Sequence, residues 1–196
     1  MPYLLEALAL HPARSARLVA APCAVASFAI KRDHGRLKSR LIRALLGGLR
    51  RDEIAALTQR FLDAKWPSLF HLRALAALDE HRAAGDYLVI LSASTDCYVR
   101  DIGARLGVDE VICTELRWCG DCLDGALATP NRRGPEKTRC IEALRARHPG
   151  SPVAAYGNAG SDLEHLASVE AGVLVNGSPA ARRRAEALGV PQRDWR

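Results

Sequence analysis

Gly85-Asp86-Tyr87-Leu88-Val89-Ile90-Leu91-Ser92-Ala93-Ser94 is where the chain changes character. The run Tyr87–Leu91 is apolar without interruption and too short for a globular helix. That is the pattern of a strand covered on both faces. It ends in three small residues, where a tight strand-to-helix connection is expected. The spacing before this run is helical throughout, and after it strands and helices alternate.

Downstream, Val99, Ile102 and Leu106 mark an amphipathic helix that stops at Gly107, and Val108–Thr114 reads as a second strand. A hairpin-like excursion runs to Leu127. Residues 136–147 predict a helix carrying Cys140, Ile141 and Leu144, and Val153–Tyr156 a third strand. A helix over 161–168, a strand at Val173–Val175 and a closing helix over 179–188 complete the series. Repeated strand-then-helix units predict an α/β fold with a Rossmann-like, doubly wound parallel sheet, whose ligands gather at the carboxyl ends of its strands.

Upstream, Leu37, Leu41, Ile42 and Leu45 recur at intervals of three and four until Gly47-Gly48. Asp52 is placed to cap the next helix, whose stripe is Ile54, Leu57, Phe61 and Leu62. Trp66-Pro67 predicts a break. A third stripe, Leu69, Leu72, Leu75, Ala76 and Leu78, runs out at Ala84-Gly85, and residues 3–30 predict one or two further helices. The expected organisation is a helical unit over 1–84 and an α/β core over 85–196.

Three segments of the core carry side chains suited to phosphate chemistry. Ser92 ends the first strand, where a hydroxyl and the following backbone N–H groups can receive phosphate oxygens, with Ser94 or Thr95 capping the next helix. Lys137 opens a helix in Gly134-Pro135-Glu136-Lys137-Thr138. A cation is misplaced at that positive end of the dipole unless an anion lies beside it. Glu136 stands where a P-loop needs glycine, so this is not a nucleotide cradle. Ala154-Ala155-Tyr156 runs into Gly157-Asn158-Ala159-Gly160-Ser161-Asp162, where Asn158 and Asp162 offer oxygen donors of the kind Mg²⁺ takes. If the sheet is parallel, Ser92, Lys137, Asn158 and Asp162 converge at one edge, around a cleft on the order of 10 Å across.

Composition narrows the class. The 196 residues are 48% hydrophobic with a formal charge of +6, from 28 Lys and Arg against 22 Asp and Glu. The arginines are scattered over helices without a stripe or aromatic platforms, which argues against nucleic acid as partner. No run reaches the ~18 apolar residues of a membrane span. The longest, Leu18–Ile30, is interrupted by Pro22 and Ser27. Ala24-Val25-Ala26 resembles a signal-peptidase site, but the long mixed segment with Glu6 ahead of it does not fit a leader. A cytoplasmic protein without membrane attachment is expected, its oligomeric state open. Cys23, Cys97, Cys113 and Cys140 lie in apolar stretches. Cys119-Gly120-Asp121-Cys122 reads as a hairpin tip turning at Gly120-Asp121, with too few further ligands for a zinc site, and a thioredoxin-type redox pair is disfavoured because such a pair opens a helix whereas the residues after Cys122 read as strand and turn; whether it binds metal is left open.

In order and spacing, the three segments resemble the haloacid dehalogenase (HAD) superfamily, in its phosphoserine-phosphatase-like branch. Leu88–Ser94 resembles the family's second motif, Gly134–Lys137 its third and Gly157–Asp162 its fourth, while the helices before residue 80 resemble its cap. The resemblance implies Mg²⁺-dependent hydrolysis of a small phosphorylated metabolite through an aspartyl-phosphate. It implies that Ser92 binds the transferring phosphoryl group, that Lys137 neutralises charge, and that Asp162 and Asn158 hold Mg²⁺ or its waters. Asn158 departs from the family's aspartate, which makes the site one charge weaker. Substrate contacts from the cap fall to Lys38 and Arg40, together with Ser94. A solvated helix face is the competing reading for at least two of Lys38, Arg40 and Arg43.

The family's first motif, an Asp-x-Asp on the central strand, is absent: the sequence has no Asp-x-Asp, and no apolar strand before residue 80 could carry one. Without that strand its two neighbours would expose unpaired edges. The expectation is therefore a missing N-terminal piece rather than a true loss, and a chain inactive alone. The alternative is a non-catalytic remnant that keeps a phosphate or partner site.

Overall fold

A computed structural model describes residues 2–14 and 34–195. The expectations placed on Cys23, on the Leu18–Ile30 run and on helices beyond residue 14 and before residue 34 lie outside these residues. By compactness the chain groups into two units: residues 1–69 with 92–131, and residues 70–91 with 132–196.

In the first unit, helices α1 (Pro2–Leu10), α2 (His34–Leu46) and α3 (Arg51–Leu69) share one core. Ile54, Leu57, Phe61 and Leu62 are all buried, as the α3 stripe predicts. On α2 the fully buried positions are Ile42, Leu45 and Leu46, with Leu37 and Leu41 half-buried. Tyr3 closes the cluster, edge-on to Phe61 at 5.3 Å and stacked on Tyr98 at 4.7 Å. The Thr58 hydroxyl donates to the Cys97 carbonyl at 2.7 Å. Its single proton is thereby committed, so the Tyr3 hydroxyl donates to Thr58 Oγ1 at 2.8 Å.

Two details of α3 correct the sequence reading. Asp52 lies within the first turn and is not the cap. Glu53 instead reaches back to accept from the Arg50 N–H at 2.8 Å, the returning half of a capping box. Pro67 does not break the helix, which runs on to Leu69. A proline two residues from the end removes one helical hydrogen bond from a turn that is already finishing, a smaller loss than in mid-helix.

The strand β1 (Val89–Thr95) starts and ends later than Tyr87–Leu91, so Ser92 lies inside it; Tyr87 is half exposed. Helix α5 (Asp96–Leu106) follows at once and closes on Gly107 in the left-handed conformation, φ +62°. Thr95 occupies its N-cap position without a side-chain bond, and Ser94 does not serve as cap either. The Ser92 hydroxyl oxygen instead accepts from the Ser94 N–H at 3.1 Å, a local turn that the sequence alone did not distinguish from a helix cap. Strand β2 (Glu110–Thr114) pairs with β1. Then β3 (Leu116–Cys119) and β4 (Cys122–Leu127) form the anticipated antiparallel hairpin, which packs on α2.

In the second unit, α4 (Leu72–Ala83) buries no residue completely. Leu72 is 84% exposed, and Leu75 and Leu78 are half-buried. Spacing of three and four defines a helix face but not what covers it, so the third predicted stripe is only partly realised. Helix α6 (Pro135–Arg147) starts at Gly134, φ +58°, with Pro135 in its first turn. Strand β5 (Ala154–Gly157) pairs parallel with β6 (Ala171–Val175), and β6 pairs parallel with β7 (Gln192–Arg193). Between β5 and β6 runs the short helix α7 (Leu163–Ala167), and α8 (Pro179–Ala187) precedes β7. Leu163, Leu166, Leu174, Ala181, Ala185 and Val190 form this unit's core. The polar two-residue β7 has no hydrophobic signature. It exists through backbone bonds, among them Leu174 N–H to Pro191 O at 2.8 Å and Asn176 N–H to Arg193 O at 3.0 Å. No described helix is long and apolar enough to cross a membrane.

Candidate active site

The second unit brings Lys137 and Asp162 together. Lys137 sits in the first turn of α6, and its Nζ lies 2.9 Å from Asp162 Oδ1, with 12% and 8% of the two side chains exposed. The cation at a helix N-terminus is thus answered by a carboxylate. Asp162 ends the loop after β5. Its Oδ2 accepts from the Ala159 N–H at 3.1 Å, and its own N–H donates to the Ala159 carbonyl at 2.8 Å. The chain closes on itself between the two residues and fixes the carboxylate.

Gly157 makes that closure possible. A Cβ there would stand 2.8 Å from Asp162 Cβ, closer than real side chains approach, and a tight 3.1 Å from its Oδ2. Asn158, on the same loop, is exposed. Sequence reasoning missed His165, three residues beyond Asp162 on α7. It is 3% exposed, its Nδ1 is buried without a hydrogen-bond partner, and burial, followed by the Lys137 charge, lowers its pKa to about 4. The imidazole is therefore neutral at physiological pH. A histidine on the buried face of a short helix gives no separate sequence signal.

In the first unit Lys38 is not on a solvated face. It is half-buried on α2, and its ammonium donates to the Ala93 carbonyl, next to Ser92, and to Asn131 Oδ1. The buried Thr114 hydroxyl donates to the same Ala93 carbonyl at 3.0 Å. Lys38 and Thr114 thus converge on the middle of Ser92-Ala93-Ser94, with Asn131 accepting from Lys38. Neither Asn131 nor Thr114 was singled out by motif, since nothing in Pro130-Asn131-Arg132 marks a contact with α2. Arg40 is exposed, and exposed Arg43 pairs with Asp124 at 3.0 Å. Ser92 and Ser94 are half-buried.

Mg²⁺ takes hard oxygen donors. The Asp162 carboxylate and the Asn158 amide are of that type, and an ionised carboxylate has lone pairs beyond those used by Lys137 and Ala159. Among the described residues no group of three or more His, Cys, Asp or Glu side chains is placed to hold a metal. The two residues fit magnesium in kind, with much of its shell left to water or other donors.

Comparison with known proteins places the chain in a family. The family profile of haloacid dehalogenase-like hydrolases matches residues 1–167. The chain is 34% identical to the protein CicA of Caulobacter vibrioides over 149 residues, 74% of this chain and 65% of CicA, so the match spans just under two thirds of that relative. Among solved structures, a protein of unknown function from Bordetella pertussis Tohama I superposes with a TM-score of 0.82 at 21% identity, covering 100% of this chain and 92% of that one. A probable phosphoserine phosphatase from Vibrio cholerae superposes with a TM-score of 0.69 at 14% identity, covering 88% and 51%. The α/β fold with its parallel sheet is theirs, and the chain belongs to the haloacid dehalogenase-like hydrolases.

Proposed function

We propose that this chain carries the phosphate-binding and charge-neutralising part of a phosphomonoesterase site acting on a small phosphorylated metabolite. The observation that supports it is the shielded Lys137–Asp162 pair on a glycine-dependent loop after a parallel strand. In this reading the Ser92 hydroxyl hydrogen-bonds the phosphoryl oxygens. Lys137 offsets the negative charge that phosphate and an attacking carboxylate bring together. Its contact with Asp162 holds the ammonium in one place before substrate arrives, so little reorganisation accompanies the reaction. In the same reading Lys38, whose ammonium also holds the Ala93 carbonyl, contacts substrate together with Arg40 and Ser94.

Hydrolases of this family generally use Mg²⁺. Asp162 and Asn158 would hold it here, and when bound it would withdraw charge from the phosphoryl oxygens. The family's hydrolysis needs an acceptor aspartate, and this sequence contains no Asp-x-Asp. In this reading turnover awaits an Asp-x-Asp acceptor, which this sequence does not supply. The same absence favours a second reading, a non-catalytic phosphate-binding module of the same fold.

The test is hydrolysis of para-nitrophenyl phosphate with Mg²⁺ by the chain alone and by the chain extended upstream with an apolar strand bearing Asp-x-Asp. The expected result is no turnover alone, turnover with the extension, and its loss in the extended Lys137→Ala variant. Activity in the chain alone that survives purification and disappears in Lys137→Ala would refute the reading. An inert extended chain that still binds inorganic phosphate would leave the binding module.

A further inference from the structure

The hairpin tip of the first unit lies outside every role assigned so far. Cys119 and Cys122 are direct cross-strand partners, flanking the two-residue turn Gly120-Asp121, and Gly120 takes φ +58°. Residues opposed in an antiparallel pair project to the same face with Cα atoms about 4.5–5.5 Å apart. A disulfide needs Cα atoms roughly 4.4–6.8 Å apart, so the backbone already meets the requirement. Both sulfurs are free thiols.

The tip is also held. Arg50 forms an antiparallel bridge with Cys122, and the Arg51 N–H donates to the Asp121 carbonyl at 3.1 Å. The guanidinium groups of Arg50 and Arg51 lie 3.6 and 3.9 Å from the Asp121 carboxylate, and Arg51 covers the Trp118 ring at 4.1 Å. The turn is thereby fixed from outside, with its two thiols at its ends.

We propose that Cys119 and Cys122 are a reversible dithiol–disulfide site that exchanges with low-molecular-weight disulfides of the glutathione type. Cys119, the exposed member, attacks as thiolate. The small S–S bond breaks, a mixed disulfide forms on Cys119, and one small thiol leaves with a proton. The Cys122 thiolate then attacks the Cys119 sulfur and expels the second small thiol. Two protein thiols are oxidised to one disulfide, and one small disulfide is reduced to two thiols. The other described cysteines do not compete. Cys97, Cys113 and Cys140 are buried, and burial pushes the Cys97 thiol up to about 12 and the Cys113 thiol to about 11.

Both cysteines fall in one tryptic fragment, Trp118 to Arg132, which makes the test direct. The purified chain is incubated with oxidised glutathione, quenched with iodoacetamide under denaturing conditions and mapped by mass spectrometry. The fragment is expected two hydrogens lighter and unalkylated, to revert with dithiothreitol, and to close about tenfold or more faster in the folded chain than in guanidinium, because the hairpin pre-aligns the thiols. Cys122→Ser should trap glutathione on Cys119. A wild-type fragment alkylated at both positions, one that keeps glutathione on Cys119, or closure no faster than in the unfolded chain would overturn the proposal.

Discussion

Lys137 Nζ and Asp162 Oδ1 stand 2.9 Å apart with 12% and 8% of their side chains exposed, in a pair that joins the first turn of α6 to the end of the β5 loop. Two charges so shielded are costly to separate. Removing one partner leaves the other desolvated and uncompensated, whereas removing both relieves the penalty.

Lys137→Ala and Asp162→Ala should each destabilise the chain by about 3 kcal/mol, and Lys137→Met with Asp162→Leu by clearly less than the sum. Urea denaturation of the four proteins measures this. Single-variant losses of about 0.5 kcal/mol, as for surface pairs, would show that the pair is solvated in solution.

Gly157→Ala should be destabilising although the backbone there has no positive φ, because the new Cβ meets Asp162 Cβ at 2.8 Å. Overpacking of this kind costs roughly 1–3 kcal/mol. In an Asp-x-Asp-extended chain it should also lower phosphate affinity by shifting Asp162. A variant as stable as the parent, with unchanged phosphate affinity, would contradict the tight loop.

His165 predicts a pH dependence. Its folded pKa is lowered from 6.5 to about 4, so between these values the unfolded chain binds the proton and the folded chain does not. The histidine's contribution to stability is complete above pH 6.5 and is lost as pH falls toward 4, at up to about 1.4 kcal/mol per pH unit. His165→Leu should flatten the stability profile across that window, measured by chemical denaturation at several pH values. An unchanged slope would mean that His165 does not carry it.

Magnesium should bind weakly. With Asn158 and Asp162 as the chain's donors, titration calorimetry should give a dissociation constant in the millimolar range or above, about −4 kcal/mol or weaker. Asn158→Asp should tighten it. Micromolar affinity in the parent would mean that another carboxylate joins the site.

Among the described residues, the helices before Gly85, the strand–helix alternation after it and the hairpin at Gly120-Asp121 were all legible, because periodicity and turn residues are local properties of a chain. The stripe Ile54, Leu57, Phe61, Leu62 came out buried as read. Lys137 and Asp162, singled out by their order along the chain, meet in the structure. Where local rules misled, a neighbour outweighed them. Glu53 took the capping role assigned to Asp52, helix α3 ran through Pro67 because little helix remained to lose, and the Ser92 hydroxyl turned to the Ser94 N–H.

The sequence by itself determined the residue types present, the fold class they imply and the absence of an Asp-x-Asp acceptor. Only the tertiary structure decided which groups meet. It paired Lys137 with Asp162 across 25 positions, set Lys38 against the Ala93 carbonyl across 55, and buried His165 beside a cation. The physical reason is that spacing along the chain fixes which face a side chain occupies. The partner on that face comes from packing between segments remote in sequence, and burial then decides how strongly the two charges feel each other.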